Sequence, residues 1–300
     1  MRPISEYLRH PRKILSGILR HNPQLIKNDE IYLKVIFYLE SGCRLNLKNP
    51  KTFCEKIQWL KINDRKSEYE SFVDKYAVKQ YVENIIGKEY IIPTLGVWDS
   101  VEDINITNLP NRFVLKTTHD GGGYGVVICN GKENFDFSKA KDKLQRSMLR
   151  QNFWVSREWA YKNIKHRIIA EANINVTGGD IVDYKFYCFN GYAKYCQVIK
   201  NRSSEETIDF YDRQWVKQPF CGLNPFAKPS QSADKMPTNY GIMIEIADKL
   251  SKSIPFARID LYNISGKIYF GEITLYPSGG FGRITPDEWD IRLGELIMIP

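Results

Sequence analysis

Histidine is scarce in this chain and cysteine follows no pattern. The four histidines, at 10, 21, 119 and 166, are scattered, and the six cysteines, at 43, 54, 129, 188, 196 and 221, include no Cys-x-x-Cys pair. Both facts argue against a zinc site or a disulfide framework. Most of the cysteines lie in apolar strand-like segments and are expected to pack as small hydrophobes. Long apolar runs are missing too: near the N-terminus Ile14 to Leu19 is broken by Ser16 and Gly17, too short for a signal-peptide core or a membrane span. A soluble cytoplasmic protein is the expectation. Repeats and low-complexity tracts are also lacking.

What the sequence does contain is a sizeable core and an excess of positive charge. Three hundred residues with 43% apolar and 13% aromatic content suffice for one large domain or two to three lobes. A net charge of +8 and a pI near 9.0 point to an anionic partner: nucleotide, acidic glycan, nucleic acid or membrane surface. Nucleic acid ranks last, because the basic residues are not gathered in an aromatic-laced stripe. The early cluster Arg2, Arg9, Arg12, Lys13 and Arg20 reads either as a segment lying on an anionic membrane or as a solvated helix face.

Residues 1 to about 50 read as helical, with an amphipathic segment from Ile31 to Glu40 closed by Gly42. Thr52-Phe53-Cys54-Glu55 is a capping-box pattern opening a helix to Lys61, and Asp74 opens another that ends at Gly87. Ile91-Ile92-Pro93 reads as a short edge strand. Strands at 112–118 and 124–130, a helix from Ser138 to about Met148 and a strand at 166–171 form a compact unit. Asp183 to Phe189 and Tyr192 to Ile199 flank Asn190-Gly191, the dipeptide of a type I′ hairpin. Residues 224–238 read as a loop, Tyr240 to Ser251 as a helix, and 256–262 with 268–274 as a last hairpin.

Phe113 to Ile128 carries the sharpest chemical signal: an apolar strand bearing Lys116 runs into His119-Asp120-Gly121-Gly122-Gly123-Tyr124-Gly125 and out into a second strand. Glycine N–H groups can turn toward anionic oxygens, so the loop reads as a phosphate cradle or as a loose hairpin turn. No Gly-Lys-Ser/Thr follows, so it is not a Walker loop, and no helix follows, so it is not a dinucleotide fingerprint. In the last hairpin, a three-residue loop Ser265-Gly266-Lys267 would set Asp260 opposite Glu272, with β-carbons about 4.5–5.5 Å apart. Such a pair suits Mg²⁺, or each carboxylate pairs with a base such as Arg258 or Lys267; a two- or four-residue loop would put them on opposite faces. Asp183, Lys185, Tyr187 and Phe189 alternate onto one face, where Lys185 either meets an anion or snorkels from an edge.

In order and spacing, these segments resemble the ATP-grasp superfamily, and its TupA-like branch in particular. The residues that carry the resemblance are Lys51 to Leu60, Asp74-Lys75-Tyr76, Phe113 to Gly125, Asp209-Phe210-Tyr211-Asp212 with Trp215, and Gly271-Glu272-Ile273-Thr274 followed by Pro277-Ser278-Gly279-Gly280. The resemblance implies an α+β ATP-grasp fold with nucleotide between two α+β lobes, preceded by an N-terminal helical extension. The implied division is 1–50 extension, 51–110 N-terminal α/β region, 111–170 lid and 171–300 metal-bearing subdomain. It further implies ATP and Mg²⁺ as cofactors. Lys116 would touch the α/β-phosphates and Gly121, Gly122, Gly123 and Tyr124 would form the lid. Glu171, Ala172, Asn173 and Ile174 would form the adenine hinge. Asp183, Lys185, Lys200 and Arg202 would face the phosphates, and Asp260, Glu272 and Thr274 would hold the metal, Thr274 standing where an Asn is common. Arg258, Ser278, Gly279, Gly280 and Arg283 would meet the acceptor. The implied activity is a carboxylate–amine ligase of cell-surface polysaccharide synthesis acting on an acidic glycan or amino acid. A glycosyltransferase, disfavoured by the absence of Asp-x-Asp, and a nucleotide-binding scaffold are the alternatives.

Overall fold

The computed structural model describes residues 11–175, 178–223 and 228–299. Arg2 and Arg9, and residues 224–227 of the expected loop, lie outside them. The N-terminal third is helical: α1 (Pro11–His21), α2 (Asp29–Ser41), α3 (Phe53–Asn63), α4 (Glu68–Val73) and α5 (Val78–Ile86). Local chemistry sets several of these ends. Asn28 Oδ1 accepts the Ile31 N–H at 2.9 Å at the start of α2, and Gly42, at φ 80°, closes it in the left-handed region that glycine adopts without strain. At α3 both halves of the capping box are made: Thr52 Oγ1 accepts from Glu55 N–H, and Glu55 accepts from Thr52 N–H, each at 3.2 Å. The helix expected from Asp74 becomes regular only at Val78; Asp74 nonetheless caps the turn before it, accepting N–H groups of Tyr76 and Ala77.

A small antiparallel sheet follows, with strands β1 (Thr94–Trp98), β2 (Phe113–Thr117), β3 (Val126–Cys129) and β4 (Ile168–Ala172) in the order β1-β4-β2-β3. Its core face, Phe113, Leu115, Cys129, Ile168 and Ala170, packs on Leu144 of α6 (Phe137–Met148) and on Val101, Ile104 and Leu109. A short helix, α7 (Asn152–Ser156), leads back toward β4. The strand expected at 91–93 is a single parallel bridge from Ile91 to Phe270; the regular strand is β1, three residues later.

The larger sheet comprises β5 (Asp183–Phe189), β6 (Tyr192–Lys200) and β7 (Thr207–Asp212). After the two-residue strand β8 (Cys221–Gly222) and helix α8 (Tyr240–Leu250) come β9 (Phe256–Ile264) and β10 (Lys267–Thr274), giving the order β10-β9-β5-β6-β7. A short strand β11 (Ile284–Thr285), paired with β8, and helix α9 (Glu288–Glu295) complete the chain. Asn190 and Gly191, at φ 52° and 83°, turn β5 into β6 as the Asn-Gly dipeptide predicts. One face of the sheet packs on α8, with Phe186 stacked on Tyr240. At one end of the other face, Phe53 of α3 meets Tyr187, Phe189 and Phe256.

The hydrophobic clusters divide the chain differently from the expected boundaries. Tyr32, Leu33 and Ile36 of α2, and the core residues of α3 to α5, belong to one cluster with the large sheet, whereas Val101 to Leu109 belong to the small one. The first fifty residues are therefore partly core, and 51–110 is split between the lobes. Replacing Thr52 with Ala should lower unfolding free energy by about 1 kcal/mol, read as a lower denaturant midpoint at constant slope; an unchanged midpoint would show that the capping box adds nothing.

Candidate functional site

The charged end of the large sheet is built by register. β5 and β9 pair Lys185 with Asp260 and Tyr187 with Arg258, which places Asp183, Lys185, Arg258 and Asp260 on one face. The hairpin loop after β9 is Ser265-Gly266, two residues at φ 52° and 87°, not the three expected. Pairing thus begins at Ile264 with Lys267, and would set Asp260 opposite Gly271. A bulge between Phe270 and Glu272 shifts the register by one and puts Glu272 opposite Asp260 after all. Glycine suits the bulge, since a β-carbon on Gly271 would lie 3.0 Å from the Asp260 carbonyl and 3.1 Å from the Tyr262 ring.

Arg258 grips Asp260 with two 2.7 Å bonds and reaches Glu272 Oε1 at 3.1 Å and Thr274 Oγ1 at 3.0 Å. Lys185, itself buried, pairs with Asp260, so it meets an anion and does not snorkel. Burial opposes ionisation of Glu272, but Lys75, Lys185 and Arg258 outweigh it and pull its carboxyl down to about 2. Its side chain remains 36% exposed, while Asp260 is sealed behind its cations.

On the small sheet, Lys116 and Glu171 share the face opposite the core, because Glu171 pairs with Val114 and Lys116 with Ile169. Lys116 Nζ lies 2.7 Å from Glu171 Oε2, and Lys79 Nζ of α5 lies 2.5 Å from Oε1 while also donating to Ile92 O at 2.7 Å. Burial raises the Glu171 carboxyl, yet Lys116 and then Lys79 hold it below its ordinary range. The Glu171 side chain is thus committed to the two lysines, leaving backbone at the end of β4 for any hinge. Asn173 donates to Asn130 Oδ1 at 3.0 Å. Lys75 donates its backbone N–H to Thr118 O at 3.0 Å and its ammonium to Asp120 O; burial depresses its pKa against the pull of Glu272.

The glycine segment leaves β2 and returns to β3 through a turn over residues 122–125, Gly122 and Gly123 lying at φ 65° and 76°. Tyr124 is exposed, its ring under Arg150 at 4.0 Å. The base of the turn is fixed. Thr117 N–H donates to Gly125 O at 3.0 Å, and buried Asp120 accepts from Ser147 Oγ at 2.6 Å and Asn152 Nδ2 at 3.1 Å. Beside it His119 stacks on His166 at 3.5 Å, the two rings donating to Ser147 O and Met148 O at the end of α6. Burial, then His166, pushes His119 down to about 4.

Several expected residues stand elsewhere. Lys200 lies on the opposite sheet face from Lys185, since Ile199 pairs with Asp183, and it pairs with Asp234. Arg202 reaches Asp183 Oδ2 at 2.6 Å, at the edge of the cluster. Arg283 is exposed and pairs with Asp287 at 3.1 Å rather than meeting the carboxylates. Ser278, Gly279 and Gly280 form a loop at φ 51°, 62° and 68°, held from beneath by α3. Gln58 Nε2 donates to Gly279 O at 3.0 Å and Gly280 O at 2.7 Å, and buried Lys61 donates to Gly279 O and to Ser156 O at 2.8 Å. Burial lowers the pKa of Lys61 and the adjacent Glu158 opposes that shift. Gln58 and Lys61, like Lys75 and Lys79, were not anticipated as site residues. The readable signal was a pair of polar side chains one helical turn apart on the apolar face of α3.

No group of three or more metal-ligating side chains occurs among the described residues. Asp260, Glu272 and Thr274 do form an all-oxygen set, in which both Asp260 oxygens are engaged by Arg258 and Lys185 and Glu272 is the open carboxylate. That fits Mg²⁺, which binds through one or two carboxylates and completes its shell with water and phosphate oxygens.

The site thus consists of lysines and carboxylates from two sheet-bearing lobes. The chain belongs to the TupA-like ATP-grasp family, whose model matches residues 55–298. Among solved structures it is similar to D-alanine–D-alanine ligase from Helicobacter pylori, at 16% identity and TM-score 0.46, covering 76% of this chain and 61% of that one. It is similar to the Bacillus anthracis D-alanine–D-alanine ligase complexed with ATP at 16% identity and TM-score 0.38, covering 69% and 55%. A third similarity is to the ATP-grasp ligase PsnB complexed with minimal precursor, at 10% identity and TM-score 0.39, covering 70% and 55%. The chain thus spans about three-fifths of the length of these proteins. No curated protein matches it.

A carboxylate held below its ordinary pKa stabilises the fold fully above its unfolded value and loses that contribution as pH falls. The Tm gap between the protein and Glu171→Gln should therefore be widest above pH 4.5, the ordinary glutamate value, and narrow below it. A gap independent of pH would show that Glu171 is not ionised between its lysines.

Proposed function

We propose that the protein is an ATP-dependent carboxylate–amine ligase of cell-surface polysaccharide biosynthesis, acting on an acidic sugar or amino-acid carboxylate. The observation that carries this reading is a pair of lysine–carboxylate clusters: Lys79 and Lys116 hold Glu171 on the small sheet, and Lys75, Lys185 and Arg258 act on Glu272 on the large one. Family membership supplies the nucleotide. The net charge of +8 suits an acidic acceptor.

In this reading the unit at 111–170 covers the nucleotide and 171–300 carries the reacting groups. Lys116 contacts the α/β-phosphates, Gly121 to Tyr124 close over the β/γ-phosphates, and backbone from Glu171 to Ile174 receives the adenine. Asp260 and Glu272, aided by Thr274, would hold Mg²⁺, which supplies positive charge to the phosphates when bound. Lys185 and Arg258, now engaged with carboxylates, are placed to stabilise charge developing on the transferred phosphoryl group. A substrate carboxylate oxygen attacks the γ-phosphorus and ADP leaves. An amine then attacks the acyl carbon, phosphate departs with the C–O bond electrons, and the amine gives up a proton as the amide forms. The turn over 122–125 excludes water that would hydrolyse the acyl-phosphate. The left-handed loop at Ser278 to Gly280 is the acceptor contact.

An ADP-release screen of amino acids against uronic-acid glycans, read by mass for an amide product, tests the assignment. Lys116→Ala should lower turnover by about 10²-fold or more, and Glu272→Ala should do the same. Unchanged turnover in either variant, or release of UDP or GDP from a sugar nucleotide without ATP consumption, would overturn it.

A further inference from the structure

Helix α1 packs with its polarity partly inverted. Its inward side is mixed: Leu19 packs against the core, but beside it buried Ser16 donates to Glu40 of α2, and Arg20 lies 3.5 Å from the same carboxylate. Its outward side is apolar. Ile14, Leu15 and Ile18, which fall within about 100° of one another on a helical wheel, are 38%, 48% and 51% exposed, and Leu25 in the following turn is 66% exposed. A helix that needs only to pack on its neighbour turns its apolar stripe inward; here, among the described residues, nothing covers these side chains.

Charge identifies the occupant. The segment Pro11–Lys27 contains Arg12, Lys13, Arg20, His21 and Lys27 and no Asp or Glu, with Arg12, His21 and Lys27 exposed around the stripe. A second copy of the chain would bring these like charges together, at an electrostatic cost. An apolar stripe rimmed by basic groups instead matches the boundary between anionic headgroups and acyl chains, where the side chains insert and the rim meets phosphate. We infer that α1 docks the protein peripherally on an anionic bilayer through Ile14, Leu15, Ile18 and Leu25. From the other side of the helix, Arg20 lies over the Phe281 ring at 4.7 Å, so a docked α1 stands between the bilayer and the loop that precedes Phe281. The ligase reading is not needed for this docking, and the vesicle assay below consumes no ATP.

Co-sedimentation of the full chain with vesicles settles the matter. The protein should bind phosphatidylglycerol–phosphatidylcholine vesicles at least tenfold more tightly than phosphatidylcholine alone, with affinity falling as salt rises. The triple substitution I14Q/L15Q/I18Q should lose at least tenfold in affinity at an unchanged Tm. A charge variant, R12E/K27E, should lose the preference for anionic lipid. Equal binding to neutral and anionic vesicles, no binding to either, or full binding by the triple variant would overturn the inference. So would a wild-type dimer in solution that the triple substitution dissolves, which would make the stripe a contact between copies.

Discussion

Asp260 is a carboxylate buried in the middle of a sheet, and its compensation fixes much of what surrounds it. An ion left unpaired there would cost several kcal/mol, so cations must reach it from defined positions. Arg258 does so from two residues earlier on the same strand, and Lys185 from the directly paired position on β5. A one-residue slip of β5 would move Lys185 to the face packed on α8 and replace it with an aromatic side chain. The charge cluster and the strand register therefore enforce each other.

The same logic recurs at smaller scale across the junction. Glu171 is satisfied by Lys116 from its own sheet and Lys79 from α5, and Glu272 is held ionised by Lys75, Lys185 and Arg258. Cations from three separate parts of the chain thus converge on carboxylates at the meeting of the lobes. Such an array is internally compensated: Lys79 and Lys116 neutralise Glu171, Lys185 neutralises Asp260, and Lys75 acts on Glu272.

The sequence reading succeeded where the determinants are local. The Thr52–Glu55 capping box, the Gly42 terminus, the Asn190-Gly191 turn and the helix ending at Met148 each follow from a few adjacent residues. The Asp260–Glu272 pairing was reached through the wrong loop: a two-residue turn and a one-residue bulge add to the offset that a three-residue turn alone would give. Alternation cannot distinguish the two, because a bulge has no signature of its own beyond a glycine. Lys200 was misplaced because its face depends on the register with β5, not on its distance from Lys185. Lys75 and Lys79 are invisible as site residues because only tertiary packing carries Lys79 of α5 to Glu171 of β4, and Lys75 before it to Thr118 and Asp120. For α1, periodicity showed a helix-forming segment but not which side turns outward.

The Ser278–Gly280 loop explains why segments at opposite ends of the chain travel together. Consecutive left-handed residues turn their carbonyls away from the usual partners, and buried carbonyls need donors. Gln58 and Lys61 provide them from one face of α3, so close that a β-carbon on Gly280 would fall 2.6 Å from Gln58 Nε2. Helix α3 is in turn positioned by Phe53 against the aromatic end of the large sheet, on the same face that carries Arg258 and Asp260. The loop, its supporting helix and the carboxylates are thus referenced to a single sheet face. Helix α3, more than two hundred residues earlier in the chain, is thus the support from which the loop after β10 takes its shape.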